Sequence, residues 1–381
     1  MLKPSDKTMT RASSSAAKPI VFNTLPATYN SPGIKSRFPA NPMIAIGVGD
    51  LTSIASFPTL KCVILAVTLT LAWMFSTPSA FAQGGPRGTL VRDETIRVSP
   101  SGDAARLGDA GRGHELVILD SSRDWTHVEA IIAEPKRDSD DEDSGGKTIT
   151  GWVQSRALVS TSTPNGDKII FGEAADSEDQ ASRRRGRPDA ARDAMRLYYR
   201  IYDLFPASPL ASEGLYRAAD IRWQVDRSDV LTRPSARERD SYMRGQINEE
   251  WMKLVIKKYP GTKWADRASF HLIENKLCGD WQAASKCPDK EADMYEKYGN
   301  EHEQSPDAPE ALYNAAWRRS ALIEIYKTEA NQKKSDESKT RALVIAQKIV
   351  TQYGQSDWSL RAQRLIFYMQ QGVPTYGNAN E

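Results

Sequence analysis

The chain has 381 residues, with 51 Lys+Arg against 49 Asp+Glu, 40% hydrophobic residues, three Cys and four His. That length holds two or three domains with cores of their own. The near-neutral charge excludes a general nucleic-acid binder, and the sparse Cys and His exclude most disulfide scaffolds and zinc modules. The average conceals a split: residues 1–82 carry seven basic and two acidic side chains, leaving 44 and 47 for 83–381, a net charge of −3.

Residues 1–61 are rich in Ser, Pro and Thr and are expected to be unstructured. Lys61 then precedes fourteen uncharged residues, Cys62–Phe75, and Ser79-Ala80-Phe81-Ala82 comes next. A basic flank, a short apolar run and a small-x-small exit are the pattern of a secretory signal, so 62–82 is predicted as one, cut between Ala82 and Gln83. An uncleaved signal anchor is the open alternative, because the stretch upstream is long. A bilayer-spanning helix needs about 20 apolar residues, more than this run supplies. Cys62 lacks the small residues that precede a lipidation site. On either reading 83–381 is exported, to the periplasm or cell envelope, and membrane contact arises only if the signal is retained.

Residues 88–160 carry short alternating or β-branched runs, Gly88–Val91, Thr95–Val98, Glu115–Leu119, Trp125–Ile132 and Thr148–Val153, separated by Gly, Pro, Ser and Asp. Strands at this spacing predict a small barrel or sandwich. The order Ile96-Arg97 near Pro100, Gly113 before a strand, Trp125 with Val128, Gly151-Trp152-Val153 and a closing Leu158 resembles the bacterial SH3 (SH3b) family. That resemblance implies a binding module for peptidoglycan or peptides, with Trp125 and Trp152 as the candidate ligand contacts. Both also suit the plainer role of half-buried staples in a very small barrel. Ser99 stands where the family usually has Gly, and an acidic insert, Asp138–Asp143, interrupts one hairpin. The insert lacks the Gly and terminal Glu of an EF-hand and reads as a solvated loop.

Residues 161–187 show no hydrophobic period and end in Arg183-Arg184-Arg185-Gly186-Arg187, so a linker is predicted. Acids at Glu173, Asp176, Glu178 and Asp179 offset the arginines.

From 188 to 372 the pattern is helical and repeats. Four corners align: Phe205-Pro206-Ala207-Ser208, Tyr259-Pro260-Gly261-Thr262, Ser305-Pro306-Asp307-Ala308 and Tyr353-Gly354-Gln355-Ser356. Small or hydroxyl residues stand at the seventh position, and the starts are 54, 46 and 48 residues apart. An aromatic ends one helix, Pro or Gly stops it, and Ser or Thr caps the next in three of the four. A second small site stands at Gly214, Ala268 and Ala362, with Asn314 the exception. Apolar stripes flank the corners, for example Ile201, Tyr202 and Phe205, and Leu343, Ala346 and Ile349. This region resembles the tetratricopeptide class, in particular envelope versions of the outer-membrane assembly lipoprotein and cell-division coordinator families. The resemblance implies a solenoid of four helix pairs that mediates protein–protein contact. Residues 373–381 form a tail.

The fold class expected is therefore multidomain: a small all-β SH3-like barrel plus an all-α helical-repeat, tetratricopeptide-like solenoid. The histidines (His114, His127, His271, His302) fall in no metal-ligand spacing, and no P-loop or Gly-x-Ser-x-Gly elbow is present. No catalytic residue, metal site or cofactor is assigned. Cys278 and Cys287 close an eight-residue loop and form a candidate disulfide in an oxidising compartment. The expected function is a non-enzymatic envelope scaffold whose partners are envelope proteins or peptides and peptidoglycan, with no nucleic acid. A peptidoglycan hydrolase or its regulator, and a signal-anchored membrane subunit, stay open as alternatives.

Overall fold

The computed structural model describes residues 85–132 and 146–376. The signal segment with Ala82 and Gln83, the acidic insert and residues 377–381 lie outside them. Among the described residues, no helix is long and apolar enough to cross a membrane.

Seven strands come first: β1 (Arg87–Leu90), β2 (Glu94–Arg97), β3 (Arg106–Ala110), β4 (Glu115–Ser122), β5 (Trp125–Ile132), β6 (Lys147–Gln154) and β7 (Leu158–Ser160). They form one antiparallel sheet in the order β3-β2-β6-β5-β4-β1-β7. Alternation drives the longest pairing. Thr126, Val128 and Ala130 of β5 point inward while Trp125, His127 and Glu129 point out, and His127 lies opposite Trp152 in β6. The edge strands β3 and β7 do not pair, so the sheet is open and the expected closed barrel is not formed. It is nonetheless strongly curled. Flat, β3 and β5 would lie about 14 Å apart, three strand spacings, yet a Cβ on Gly108 would stand 4.0 Å from Ile132 Cγ1. Curling lets Leu90, Ile96, Leu116, Val128 and Val153 share one core.

Nine helices come next among the described residues: α1 (Gly166–Ser182), α2 (Ala190–Leu204), α3 (Ala211–Thr232), α4 (Glu250–Lys258), α5 (Lys263–Glu274), α6 (Lys286–Glu301), α7 (Ala308–Thr328), α8 (Gln332–Gln352) and α9 (Asp357–Gln370). Helix α1 occupies the stretch expected to be a linker. Its buried stripe is Gly166, Ile170, Ala174 and Ser177, a period of four and three carried by only one large apolar side chain. That is why the sequence displays no hydrophobic period there.

Helix α1 is the seam of the molecule. Ile170 and Ala174 pack with Val91 and Val159 from the sheet and with Leu197, Tyr198 and Ile201 of α2 in one core cluster. Charged groups rim the seam. Arg87 pairs with Glu115 and Asp203, and Arg200 Nη1 donates to the same two carboxylates, at 2.9 Å each. Arg187 pairs with Asp193 at 2.8 Å, so this arginine of the basic run serves the fold. Gly113 is held at φ +72° directly over α2, where a Cβ would stand 2.4 Å from Arg196 Cβ. Only glycine fits there.

The helix-pair corners recur, with one change of register. Phe205, Tyr259, His302 and Tyr353 end α2, α4, α6 and α8 with φ between −130° and −121°. Each carbonyl accepts the N–H three residues on, from Ser208, Thr262, Ser305 and Ser356. Six residues on stand buried Ala211, Ala265, Ala308 and Ser359, and nine on stand buried Gly214, Ala268, Ala311 and Ala362. The third corner therefore starts at His302, not Ser305, and the intervals become 54, 43 and 51. His302 fills the aromatic place, and Ala311 replaces Asn314 at the second small site. The physical need is close approach: a Cβ on Gly214 would lie 2.9 Å from Tyr198 O. Of the hydroxyls, Thr262 caps α5 by accepting from Ala265 N–H at 3.3 Å. Ser208 and Ser305 accept instead from the residue two on, Leu210 and Asp307.

Truncation at the seam, Ile170→Ala, is expected to cost about 2–5 kcal/mol in chemical denaturation, the usual range for a large core aliphatic. Ile170→Asp is expected to replace a single thermal transition by two, one for the sheet and one for the helices. A single transition retained in Ile170→Asp shows that the two parts do not depend on this seam.

Candidate functional site: the face of the B helices

The second helix of each pair, here called helix B (α3, α5, α7, α9), meets its successor through aromatic and charged side chains in the first turns. Between α3 and α5, the Tyr216 and Trp264 rings stack at 5.2 Å and 27°. The Arg267 guanidinium lies 5.0 Å from the Tyr216 centroid and 5.9 Å from that of Trp264. His271 Nε2 is 3.2 Å from Tyr216 Oη and 3.2 Å from Asp220 Oδ1. Burial pushes the Tyr216 phenol far above its ordinary range, so it stays a neutral hydrogen-bonding group.

Between α5 and α7, Arg267 Nε donates to Asp307 Oδ2 at 3.3 Å, and His302 Nδ1 lies 2.8 Å from Asp266 Oδ1. Between α7 and α9, Tyr313 and Trp358 pack at 5.2 Å and 39°, with the Arg361 guanidinium 4.4 Å from the Trp358 centroid. Burial holds the carboxyls of Asp307 and Glu310 above their ordinary values. The neighbouring Asp307 raises Glu310 further, and Arg361, His271 and Arg267 partly oppose the shift. Guanidiniums over ring faces, beside desolvated carboxylates, make a surface that can offer stacking and charge to a ligand.

Against the later turns of α7, beside Trp317, Ala321 and Ile325, Cys278 and Cys287 form a disulfide with Cα atoms 6.0 Å apart. The loop it closes is fastened by Glu291, which is 2% exposed. The carboxylate accepts the Cys278 N–H at 2.7 Å, the Trp281 indole N–H at 3.3 Å and Arg318 Nε at 2.7 Å. The start of the expected tail packs here too. Thr375 Oγ1 and Ser320 Oγ share a hydrogen bond of 2.7 Å, and the Tyr376 ring lies 5.5 Å from Trp281. The Glu291–Arg318 fastening is invisible in the sequence, because the partners stand 27 positions apart among many charges. The charge-bearing first turns become legible only once the third corner is set at His302.

Trp125 and Trp152 lie outside the sheet core, half-buried on its outer face. Trp152 stacks on His127, with centroids 4.7 Å and planes 20° apart. Asp120, His127, Trp152 and Arg97 form one row across four strands, and Trp125 sits one row away, opposite Gln154 and Ser122. The structure thus places both tryptophans on one face but in different rows. Among the described residues, no three His, Cys, Asp or Glu side chains are grouped to hold a metal ion.

No family model matches the chain, and no curated protein matches it. Among solved structures, a DHF58 filament is 13% identical, matched over 54% of this chain and 91% of its own, with a TM-score of 0.21. A DHF79 filament is 13% identical over 52% and 83%, with a TM-score of 0.17. Superpositions this poor carry no argument about fold or function.

Glu291→Ala is expected to destabilise the protein by about 3–5 kcal/mol, because it strands the buried Arg318 charge. Reducing the disulfide removes about 2–3 kcal/mol by the loop-entropy relation. Denaturant titration with and without reductant measures both, and an unchanged midpoint refutes either. The raised Glu310 carboxyl means that the folded state binds its proton more tightly than the unfolded state does. Its contribution favours folding below the unfolded Glu range, near pH 4, and is lost as pH rises through the folded value. Glu310→Gln should therefore raise the melting temperature at pH 7, and the gain should vanish below about pH 4. A gain that grows on acidification contradicts this.

Proposed function

We propose that this chain is an exported, non-enzymatic envelope protein that grips a segment of a partner protein along the face of its B helices. The observation that carries the reading is the pair of Tyr, Trp and Arg groups at the first and third helix-B joints, Tyr216–Trp264–Arg267 and Tyr313–Trp358–Arg361. Of these, Tyr216 is buried, Trp264, Arg267, Tyr313 and Trp358 are half-buried, and Arg361 is exposed. Rigid aromatic anchors lose little side-chain entropy on binding, which is why such residues dominate interface energetics. The corner pattern, a helix-ending aromatic with small residues six and nine on, supports a tetratricopeptide-like stack. In such stacks, neighbouring pairs present one continuous surface.

The curled sheet is read as an SH3-like module, on the Gly151-Trp152-Val153 close and the packing around Ile96, Leu116 and Val128. Its outer face, with Trp125 and the His127–Trp152 stack, suits a sugar chain or peptide of the cell wall. Export rests on the apolar run and the Ala82–Gln83 junction of the sequence, and the Cys278–Cys287 disulfide accords with an oxidising compartment.

A photo-crosslinking amino acid at position 358, in the full chain expressed with its envelope, is expected to give discrete protein adducts. The same group at Val344, 65% exposed on α8, should give none. Equal labelling at both positions, or none at 358, removes the B-face reading. Turnover of peptidoglycan by the purified chain would put a hydrolase in its place.

A further inference from the structure

The four corners, aligned by their hydrogen bonds, lead into helices with different first turns. Five residues past each corner start stand Leu210, Trp264, Asp307 and Trp358, and eight past stand Glu213, Arg267, Glu310 and Arg361. The charge at the eighth place alternates: acid, base, acid, base. Tyr216 and Tyr313 stand eleven past the first and third corners. The first pair therefore matches the third at the eighth and eleventh places, and the second matches the fourth at the fifth and eighth, so the larger repeating unit is two helix pairs.

The joints obey the same rule. Tyr packs on Trp with centroids 5.2 Å apart in both copies, stacked in the first and tilted in the second, and in both an arginine one turn beyond the Trp lies over its face. The joint between the copies is different. There Asp307 stands in the place of the Trp and meets Arg267, while Phe270 turns to Tyr295 and Tyr298.

We propose that the two Tyr–Trp–Arg joints are matched carboxylate-binding sites on one extended peptide segment, and that the Asp307–Glu310 step between them takes a basic side chain. The proposal deepens, and rests on, the B-face reading. An arginine stacked on a ring keeps the outer edge of its guanidinium for a carboxylate, which it grips with two hydrogen bonds. Arg361 is exposed and makes no ion pair among the described residues. Arg267 engages Asp307 through Nε alone. Asp307 and Glu310 together bring two acidic groups to the middle step against that single direct ion pair.

Spacing sets the motif. Helix α7 packs on α9 through Tyr313 and Trp358, and α5 reaches α7 through the Arg267–Asp307 contact. With each step about one packed-helix spacing, 8–10 Å, α5 and α9 lie roughly 20 Å apart. An extended chain advances about 3.3 Å per residue. The two acids of the partner then fall six residues apart, with the base midway: acid-x-x-base-x-x-acid.

The test is fluorescence anisotropy of the full chain with the labelled peptide Glu-Ser-Gly-Lys-Ser-Gly-Glu. Saturable binding is expected, at least tenfold weaker when both Glu are Gln and at least tenfold weaker in Arg361→Glu, measured at a temperature where that variant is folded. A peptide of reversed charge, Lys-Ser-Gly-Glu-Ser-Gly-Lys, should bind at least tenfold more weakly than the first. Equal affinity for all three peptides overturns the charge rule but leaves the B-face reading intact if adducts still form at position 358. No binding by any of them also overturns the rule. A melting temperature that falls in Arg361→Glu with peptide affinity unaltered assigns these charges to holding helices together, and the proposal fails.

Discussion

The joining of the sheet to the helices depends on a seam that neither half can make alone. The sheet brings only Val91 and Val159 to it, and α2 turns Leu197, Tyr198 and Ile201 toward it. Helix α1 lies between, with Ile170 and Ala174 as its buried stripe. A sheet of about 70 residues buries a small core, and this contact extends it into the first helix pair. The rim of Arg87, Glu115, Arg200 and Asp203 contributes less: half-exposed ion pairs are worth roughly 0–1 kcal/mol each. Its shared carboxylates fix the direction of docking, because both arginines must reach the same two acids at once.

Some of this architecture is plain in the sequence, and the rest is hidden for physical reasons. Alternation exposes β5 and β6, where inward and outward residues differ sharply in polarity. It misses β3, since Arg106-Leu107-Gly108-Asp109-Ala110 is an edge strand with little to bury. The closed barrel is an expectation from the strand spacing and the SH3-like order of signature residues, and neither says whether edge strands meet. Helix α1 escapes notice because one isoleucine and small residues are enough to bury a helix that packs closely. The corner motif is legible at Phe205, Tyr259 and Tyr353. At the third corner Pro306 pulls the alignment three residues late, because a proline is more conspicuous than the two small positions that backbone contact requires. Trp125, Trp152, Cys278 and Cys287 are visible as residue types, but which rows, loops and carboxylates they meet is not.

The B-helix face shows how one surface can hold itself together and stay open to a partner. Its arginines rest on rings, which hold the cation in place without closing its hydrogen-bonding edge. Its acids are half-desolvated, and burial raises Asp307 and Glu310 toward protonation. Charges of both signs alternate along the line, so no single sign dominates. Under the proposed reading, such a surface would select by order of charges more than by their sum, and would discriminate among segments that share the same net charge.

The anchoring of the chain end has a mechanical consequence. Past α9 the chain turns back, and Thr375 and Tyr376 fasten to Ser320 of α7 and to Trp281 of the disulfide loop. A pull applied beyond residue 376 therefore does not peel α9 from its neighbour first. It loads the Thr375–Ser320 hydrogen bond and the Trp281 contact, and through Trp281 the loop that Cys278 and Cys287 close covalently and Glu291 ties to Arg318. The last helix is shielded from tension by contacts to α7, two helices back, and to the covalently closed loop before α6, so a tethered C-terminus would yield at those non-covalent contacts before the stack unzips.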